Sequence, residues 1–465
     1  MKSINPNIFR ESDIRGLVKT DLTPDHVEKI GRAIGTYLKR QGGKVLALGR
    51  DVRNSSQKFR DVIIQGVLST GCNLKDIGIV PTPVSYFAQR HLETDGSIMI
   101  TGSHNPSEFN GFKINVGGNS LYGNKIQEIF RLIVNQDYET GKGTIDQIDV
   151  LDSYIKKICE IITIPREIKL AVDGGNGCFG IIGPRLFKKL GLEPIEVFCD
   201  PDGNFPNHHP DPTVAENLQA LIQVVEQNDC ELGIGFDGDV DRIGVVDEEG
   251  NILWGDQLLT IFARDILRKR PGATIVGEVK CSQSLFQDIK DRGGIPVMTA
   301  AGHSLIKKKM RETNALLAGE MSGHIFFADN YFGYDDAMFA ACRLLQILSS
   351  SDKNLSKMLT DLPKTFSTPE IRVECPEDQK FAITQDIGEF FKNKYEVIET
   401  DGFRINFPNG WGLIRASNTQ PVVVLRFESQ SKEGLREIMD SVNTKLLKYD
   451  CFSSFDPKEY NGLSK

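Results

Sequence analysis

Thr101-Gly-Ser-His-Asn-Pro106 follows residues 96–100, a short apolar run that reads as a buried strand. Asn105-Pro106 continues neither strand nor helix easily, so the spacing predicts a sharp loop that displays the Ser103 hydroxyl. A serine in such a place is commonly a turn former, and it acquires chemical meaning only through its partners. Three other polar stretches supply candidates: residues 237–242, 319–324 and 415–419.

Outward from this loop, the chain repeats one pattern. Residues 45–48 are apolar, 49–56 polar and 59–69 helix-like, and after Gly71 a second strand is expected near 77–80. Residues 168–172, 173–180, 181–190 and 194–198 do the same, as do 273–276, 277–283, 284–292 and 295–298. Strand-helix-strand units of about thirty residues favour parallel crossovers. Three related mixed α/β domains are therefore expected, at 1–150, 151–252 and 253–363. The tail differs. Strands near 369–374, 396–400, 404–407, 411–415 and 422–428, with helices at 379–393 and 432–447, imply a C-terminal α+β domain, 364–465, built on an antiparallel sheet with helices on one face. The polar and Pro-containing segments 349–354 and 363–369 are the expected hinge.

Composition narrows the function. The 465 residues exceed what one hydrophobic core supports, and 40% hydrophobic with 25% charged residues is ordinary for a soluble protein. No apolar run approaches the roughly eighteen residues of a membrane helix. The N-terminus has no apolar signal core, and the nine cysteines are scattered without a Cys-x-x-Cys pair, which fits a reducing cytoplasm. A formal charge of -8 argues against nonspecific nucleic-acid or membrane-surface binding, so an anionic ligand must meet locally concentrated positive charge. The seven histidines include no His-x-x-x-His spacing, which leaves zinc little support.

Asp237-Gly-Asp-Val-Asp-Arg242 lies between two expected buried strands, 231–236 and 243–246. If the segment is extended, alternate residues share a face and Asp237, Asp239 and Asp241 converge. Two carboxylates about 4 Å apart repel by roughly 4 kcal/mol at an effective dielectric near 20, so three need a cation or protons. Hard oxygen ligands suit Mg²⁺. A calcium EF-hand would need Gly at Arg242, and an aspartyl phosphatase usually has Thr or Val where Asp241 stands. Gly319-Glu-Met-Ser-Gly-His324 offers a carboxylate, a hydroxyl and an imidazole suited to sugar hydroxyls. Arg415-Ala-Ser-Asn-Thr419 offers a guanidinium, hydroxyls and backbone N–H groups suited to a phosphate. Arg15, Lys113, Lys280 and His303 are expected at loops or strand ends, where binding residues often lie.

Together these stretches resemble the α-D-phosphohexomutase superfamily, and within it the bacterial phosphomannomutase/phosphoglucomutase group, over essentially the whole chain. The resemblance implies four domains around a central cleft, one motif from each. It implies that Ser103 is a phosphoserine and that Asp237, Asp239 and Asp241 hold Mg²⁺ with it. Glu320 and Ser322 would read sugar hydroxyls beside His324, and Arg415, Ser417, Asn418 and Thr419 would grip the nonreacting phosphate. His104, Lys113, Arg242, Lys280 and His303 would surround the reacting group, with Arg15 as a nearby positive stabiliser. The implied reaction moves phosphate between the 1- and 6-positions of glucose or mannose phosphates through a hexose 1,6-bisphosphate, in a monomer. Phosphoglucosamine mutase is the alternative enzyme, and a catalytically silent phosphosugar-binding protein the alternative class. Two departures from the group, Ser12 where Tyr is frequent and Ala301 where Thr is frequent, put fine sugar specificity in doubt.

Overall fold

A computed structural model describes residues 4–417 and 421–452, so Asn418 and Thr419 lie outside the described residues. Four sheets follow one another along the chain. In the first, Val45–Arg50 is flanked in parallel by Asn73–Ile79 and Gly96–Ile100, as expected for strands joined by the helices Ser56–Leu68 and Thr82–His91. In the second, Leu170–Asp173 lies parallel to Ile195–Val197 and Leu232–Phe236. In the third, Thr274–Glu278 lies parallel to Ile295–Thr299 and Leu317–Gly319.

Each parallel core then continues into an antiparallel hairpin. Gly96–Ile100 pairs antiparallel with Phe109–Val116, Leu232–Phe236 with Ile243–Asp247, and Leu317–Gly319 with Ile325–Phe327. Residues 101–106, 237–242 and 319–324 lie at the connections of these three hairpins. They occupy the same topological position in three related units. Among the described residues the fourth sheet is antiparallel throughout, and Gly410–Ala416 and Val422–Ser429 form the hairpin that carries the fourth stretch, residues 415–419.

The first three units pack as one body. A single apolar cluster runs from Tyr86 and Phe87 through Tyr154 and Phe179 to Phe327 and Phe339. Phe87 meets Tyr154 edge-on at 5.6 Å between ring centres, and Tyr154 donates its hydroxyl to Asp336 at 2.9 Å. The three hairpins are thus mounted on one shared core.

The tail sheet uses the two-residue period of its strands to face two ways. Ile405, Ile414, Leu425 and Phe427 pack in one cluster with Ile387, Leu435 and Ile438 from the helices Lys380–Lys392 and Lys432–Leu446. Trp411 and Leu413, on the other face, pack on Val279 of the third unit. Beside them, Arg404 donates to the carbonyls of Val279 (2.6 Å) and Cys281 (2.8 Å), and Arg426 donates to that of Lys280 (2.7 Å). All nine cysteines are free, and no helix among the described residues is long and apolar enough to cross a membrane.

Candidate active site

The serine loop is held from beneath. Ser103 adopts a left-handed backbone (φ 49°), uncommon for a residue other than glycine. Its N–H donates to Thr101 Oγ1 at 2.8 Å. Arg53, fully buried, donates to the carbonyls of Ser103 (2.7 Å), Pro106 (2.6 Å) and Phe109 (3.0 Å). Arg15 reaches the carbonyl of Gly102 at 3.0 Å and Asn105 Oδ1 at 2.6 Å. A Cβ on Gly102 would stand 2.5 Å from the Arg53 guanidinium, so this packing admits glycine there. Backbone strain at Ser103 is thus fixed by two arginines binding carbonyls around it.

The aspartate loop converges for a different reason from strand alternation. Residues 237–242 form turns, and Val240 sits at φ 62°, a costly conformation for a β-branched side chain. Asp237 Oδ1 accepts from the N–H groups of Asp241 (3.0 Å) and Arg242 (3.1 Å), which curls the loop around its own first carboxylate. The expectation of an extended segment is therefore corrected: a capped turn, rather than a pleat, brings the three carboxylates together. They are fully buried, with one oxygen of each within 4.8 Å of the others.

These loops touch. Ser103 Oγ donates to Asp237 Oδ2 at 2.9 Å and lies 3.2 Å from His104 Nδ1. A Cβ on Gly238 would meet the Ser103 carbonyl at 2.6 Å, so glycine permits the approach. Lys113 Nζ donates to Asp239 Oδ2 at 2.7 Å and also to Asp241, while Thr82 donates its hydroxyl to Asp239. Burial disfavours every charge here. For Lys113 it is outweighed by Asp239, Asp241 and Asp237, so its pKa stands above the usual lysine value. Asp237 moves well above the carboxylate range through burial, Asp239 and Asp241. The charge of the three carboxylates is met in part by Lys113, which bonds two of them.

The third hairpin joins the second. Ile243 N donates to the Gly323 carbonyl at 3.1 Å, and Arg242 Nε donates to His324 Nε2 at 3.0 Å. Glu320 Oε1 accepts from Gly302 N at 2.5 Å, and Glu320 Oε2 from Ser322 Oγ at 3.2 Å. His303 opens the helix His303–Thr313, and Lys280 follows the strand Thr274–Glu278, where its Nζ is 3.2 Å from Glu370 of the tail. Arg415 stands in the strand Gly410–Ala416 rather than in the loop beyond it, 3.1 Å from Asp401; Ser417 begins that loop. Asp401 in turn accepts from Ala301 N at 3.1 Å, tying the tail to the third unit.

Lys113 and Arg15 also correct an expectation. Neither is at a loop or a strand end: Lys113 is mid-strand in Phe109–Val116 and Arg15 lies in the strand Ile14–Leu17, both buried. The oxygens Asp239 Oδ1 and Asp241 Oδ1 are buried without a hydrogen-bond partner, which together with the all-oxygen donor set fits a hard divalent cation.

Comparison with known proteins decides the family. Models of phosphoglucomutase/phosphomannomutase α/β/α domains I, II and III match residues 6–140, 152–250 and 254–366, and that of the C-terminal domain matches 370–445. A phosphomannomutase/phosphoglucomutase of Pseudomonas aeruginosa is 46% identical over 93% of this chain and 94% of its own length. The chain belongs to the phosphoglucomutase/phosphomannomutase family. A phosphoglucomutase of Neisseria gonorrhoeae is 42% identical over 95% of this chain and 96% of its own. The crystal structure of a phosphoglucomutase/phosphomannomutase family protein from Burkholderia thailandensis superposes with a TM-score of 0.91 at 42% identity, covering 96% of this chain and 98% of that one.

Within this phosphoglucomutase/phosphomannomutase fold, four residues escaped the sequence reading: Arg53, Thr82, Asp335 and Asp401. Arg53 lies in the polar segment after the strand Val45–Arg50, where its neighbour Asp51 makes it look like an ordinary local ion pair. The departures Ser12 and Ala301 meet at Gly302, where a Cβ would stand 3.8 Å from Ser12 Oγ. They are one local change, at the junction of the first and third units.

Proposed function

We propose that this chain is a mutase that interconverts hexose 1-phosphates and 6-phosphates of glucose and mannose through a phosphorylated Ser103. The observation that carries the reading is the Ser103 hydroxyl, held on a strained loop 2.9 Å from Asp237 and 3.2 Å from His104, beside an aspartate loop that Lys113 also binds, within a family of hexose phosphate mutases. Phosphoryl transfer needs alignment and charge stabilisation more than covalent activation, and this cluster offers both.

In the proposed cycle, the phosphoryl group leaves Ser103 Oγ for the free hydroxyl of a bound hexose phosphate. The Oγ–P bond breaks, the sugar O–P bond forms, and the hydroxyl proton passes to a neutral imidazole. Burial, with Arg242 and Arg15 nearby, pushes His104 well below the usual histidine pKa, and burial with Lys307 does the same for His303. The resulting 1,6-bisphosphate turns over and returns its other phosphate to Ser103. Asp237, Asp239 and Asp241 would hold Mg²⁺, which when bound neutralises charge on the phosphoryl oxygens. Glu320 and Ser322 hold the sugar in either orientation, with His324 and Lys280 beside them. Arg415 and Ser417, with Asn418 and Thr419, grip the phosphate that does not react. All four loops come from one chain, so a monomer suffices, and nine free thiols suit the reducing cytoplasm.

The test is a coupled assay with glucose 1-phosphate and mannose 1-phosphate, each with Mg²⁺ and a trace of glucose 1,6-bisphosphate. Turnover of both supports the reading. Turnover of glucosamine 6-phosphate far above either would replace it, and binding without turnover of any of them would reject catalysis.

A further inference from the structure

Asp335 is fully buried behind the aspartate loop and divides its two oxygens between different partners. Oδ1 accepts from Lys307 Nζ at 3.0 Å. Oδ2 faces two imidazoles at once: His324 Nδ1 at 3.3 Å and His303 Nδ1 at 3.5 Å. The two rings stack at 5.9 Å between centres with 20° between their planes. Arg242 Nε donates to His324 Nε2, so that nitrogen carries a lone pair and the proton of a neutral ring sits on Nδ1. There it faces Asp335 Oδ2 and, at 3.5 Å, Asp241 Oδ1, the nearest carboxylate oxygens. His303 presents the same nitrogen to the same oxygen.

We propose that Asp335 is a positioning residue that holds His303 and His324 in the Nδ1–H tautomer, leaving Nε2 of each as the acceptor on the side away from the buried carboxylate. For His324 that side is the sugar loop, with Glu320 Oε2 3.9 Å from Nε2. The inference rests on the mutase reading, in which a sugar hydroxyl must lose its proton as it attacks phosphorus and the next sugar oxygen must regain one. A carboxylate behind an imidazole fixes which nitrogen meets the substrate and favours the charged ring formed when it takes a proton. Lys307 supplies the counter-charge. Burial works to raise the Asp335 pKa, but Lys307, His324 and His303 outweigh it and hold Asp335 well below the carboxylate range. A divalent cation between Asp241, His324 and Asp335, whose donor atoms lie within 4.8 Å of one another, would need the opposite tautomer at His324.

Long-range proton–nitrogen NMR on the full-length protein labelled with ¹⁵N-histidine reads the tautomers directly. His303→Gln and His324→Gln variants assign the signals. The expected result is a protonated Nδ1 and a bare Nε2 at both positions. Asp335→Asn alone would strand the buried Lys307 charge, so it is paired with Lys307→Met. The double variant should lose the fixed tautomers and about a hundredfold in kcat, with KM changed less than about threefold. A protonated Nε2 at either ring of the unaltered protein overturns the proposal whatever the variant does. So does a double variant that keeps both tautomers and kcat within about twofold. Loss of the tautomers with assay activity intact would sink the positioning role alone, whereas absent mutase activity in the unaltered protein would sink the reading beneath it.

Discussion

Lys113 Nζ lies 2.7 Å from Asp239 Oδ2, so a lysine in the middle of the first sheet supplies positive charge to a loop of the second. The same carboxylate belongs to the oxygen cluster proposed to hold Mg²⁺. Lys113→Met should leave Asp239 and Asp241 buried without a cationic partner, at a cost of about 3–5 kcal/mol in metal-free protein. Added Mg²⁺ should recover much of this. Thermal unfolding with and without Mg²⁺ checks it: the metal-induced rise in Tm should be larger in the variant, and equal rises would mean that lysine and metal do not share these carboxylates.

Ser103→Ala should cost at least about a thousandfold in kcat, on the order of 4 kcal/mol of barrier, because the phosphate carrier is lost. Peptide mapping of the purified protein should find phosphate on Ser103. Unchanged activity in the variant would remove Ser103 from the mechanism.

Arg415 stands between Asp401 and the loop expected to grip phosphate. Arg415→Ala should raise KM by about thirtyfold or more, the worth of one charge-assisted hydrogen bond of roughly 2 kcal/mol, with a smaller effect on kcat. Small-angle scattering should record a decrease in radius of gyration when a sugar phosphate binds the unaltered protein, as the tail closes about the segments 349–354 and 363–369. The variant should contract less. Identical profiles with and without ligand would reject closure.

Glu370 couples the tail to Lys280 across a domain boundary. Burial works to raise its pKa, yet Lys280 and Arg372 bring it from 4.5 down to about 2. A carboxyl whose folded pKa is depressed contributes stability above its unfolded pKa and loses it as pH falls toward the folded one. Glu370→Gln should therefore destabilise the protein at pH 7, with a ceiling of about 3 kcal/mol. The gap between variant and unaltered protein should narrow from about pH 4.5 downward. A gap that stays constant between pH 7 and pH 3.5 would show that the pair contributes through packing alone.

Glucose and mannose phosphates should be used with kcat/KM values within roughly a hundredfold, less than about 3 kcal/mol. The two sugars differ at the C2 hydroxyl, whereas Glu320 and Ser322 are proposed to read hydroxyls they share. Strong rejection requires a buried polar group left unpaired by the wrong sugar. Ser12 and Ala301 converge at Gly302, so they should be tested together as Ser12→Tyr with Ala301→Thr. A preference above about ten-thousandfold that this pair abolishes would trace selectivity to that junction.

Much of this arrangement was legible because strands and turns are local. The apolar runs on either side of residues 101–106, 237–242 and 319–324 mark hairpin arms whatever the rest of the chain does. Phe112 and Ile114 alternate with Lys113 and Asn115 in the same strand, a pattern that ordinarily marks one solvent face, so nothing local announces that Lys113 is buried. The convergence of the three aspartates was anticipated on the wrong geometry, because nothing local reveals that Val240 accepts a left-handed backbone. Thr82, Asp335 and Asp401 were silent in the sequence. Each acts on a partner from another unit, or far along its own, and such meetings depend on how sheets pack rather than on any run of residues.

Arg404 and Arg426 hold the third unit by its peptide oxygens, at Val279, Lys280 and Cys281. Peptide oxygens are common to every sequence, so this joint recognises the course of a backbone more than the identity of side chains. Tail domains exchanged between relatives should dock on a foreign third domain if both arginines are kept and an apolar residue faces Trp411. A tail produced on its own should instead expose Trp411 and Leu413 beside two guanidinium groups deprived of their acceptors, and should be poorly soluble until that face is redesigned. The chain can thus be recombined by exchange more readily than it can be dissected.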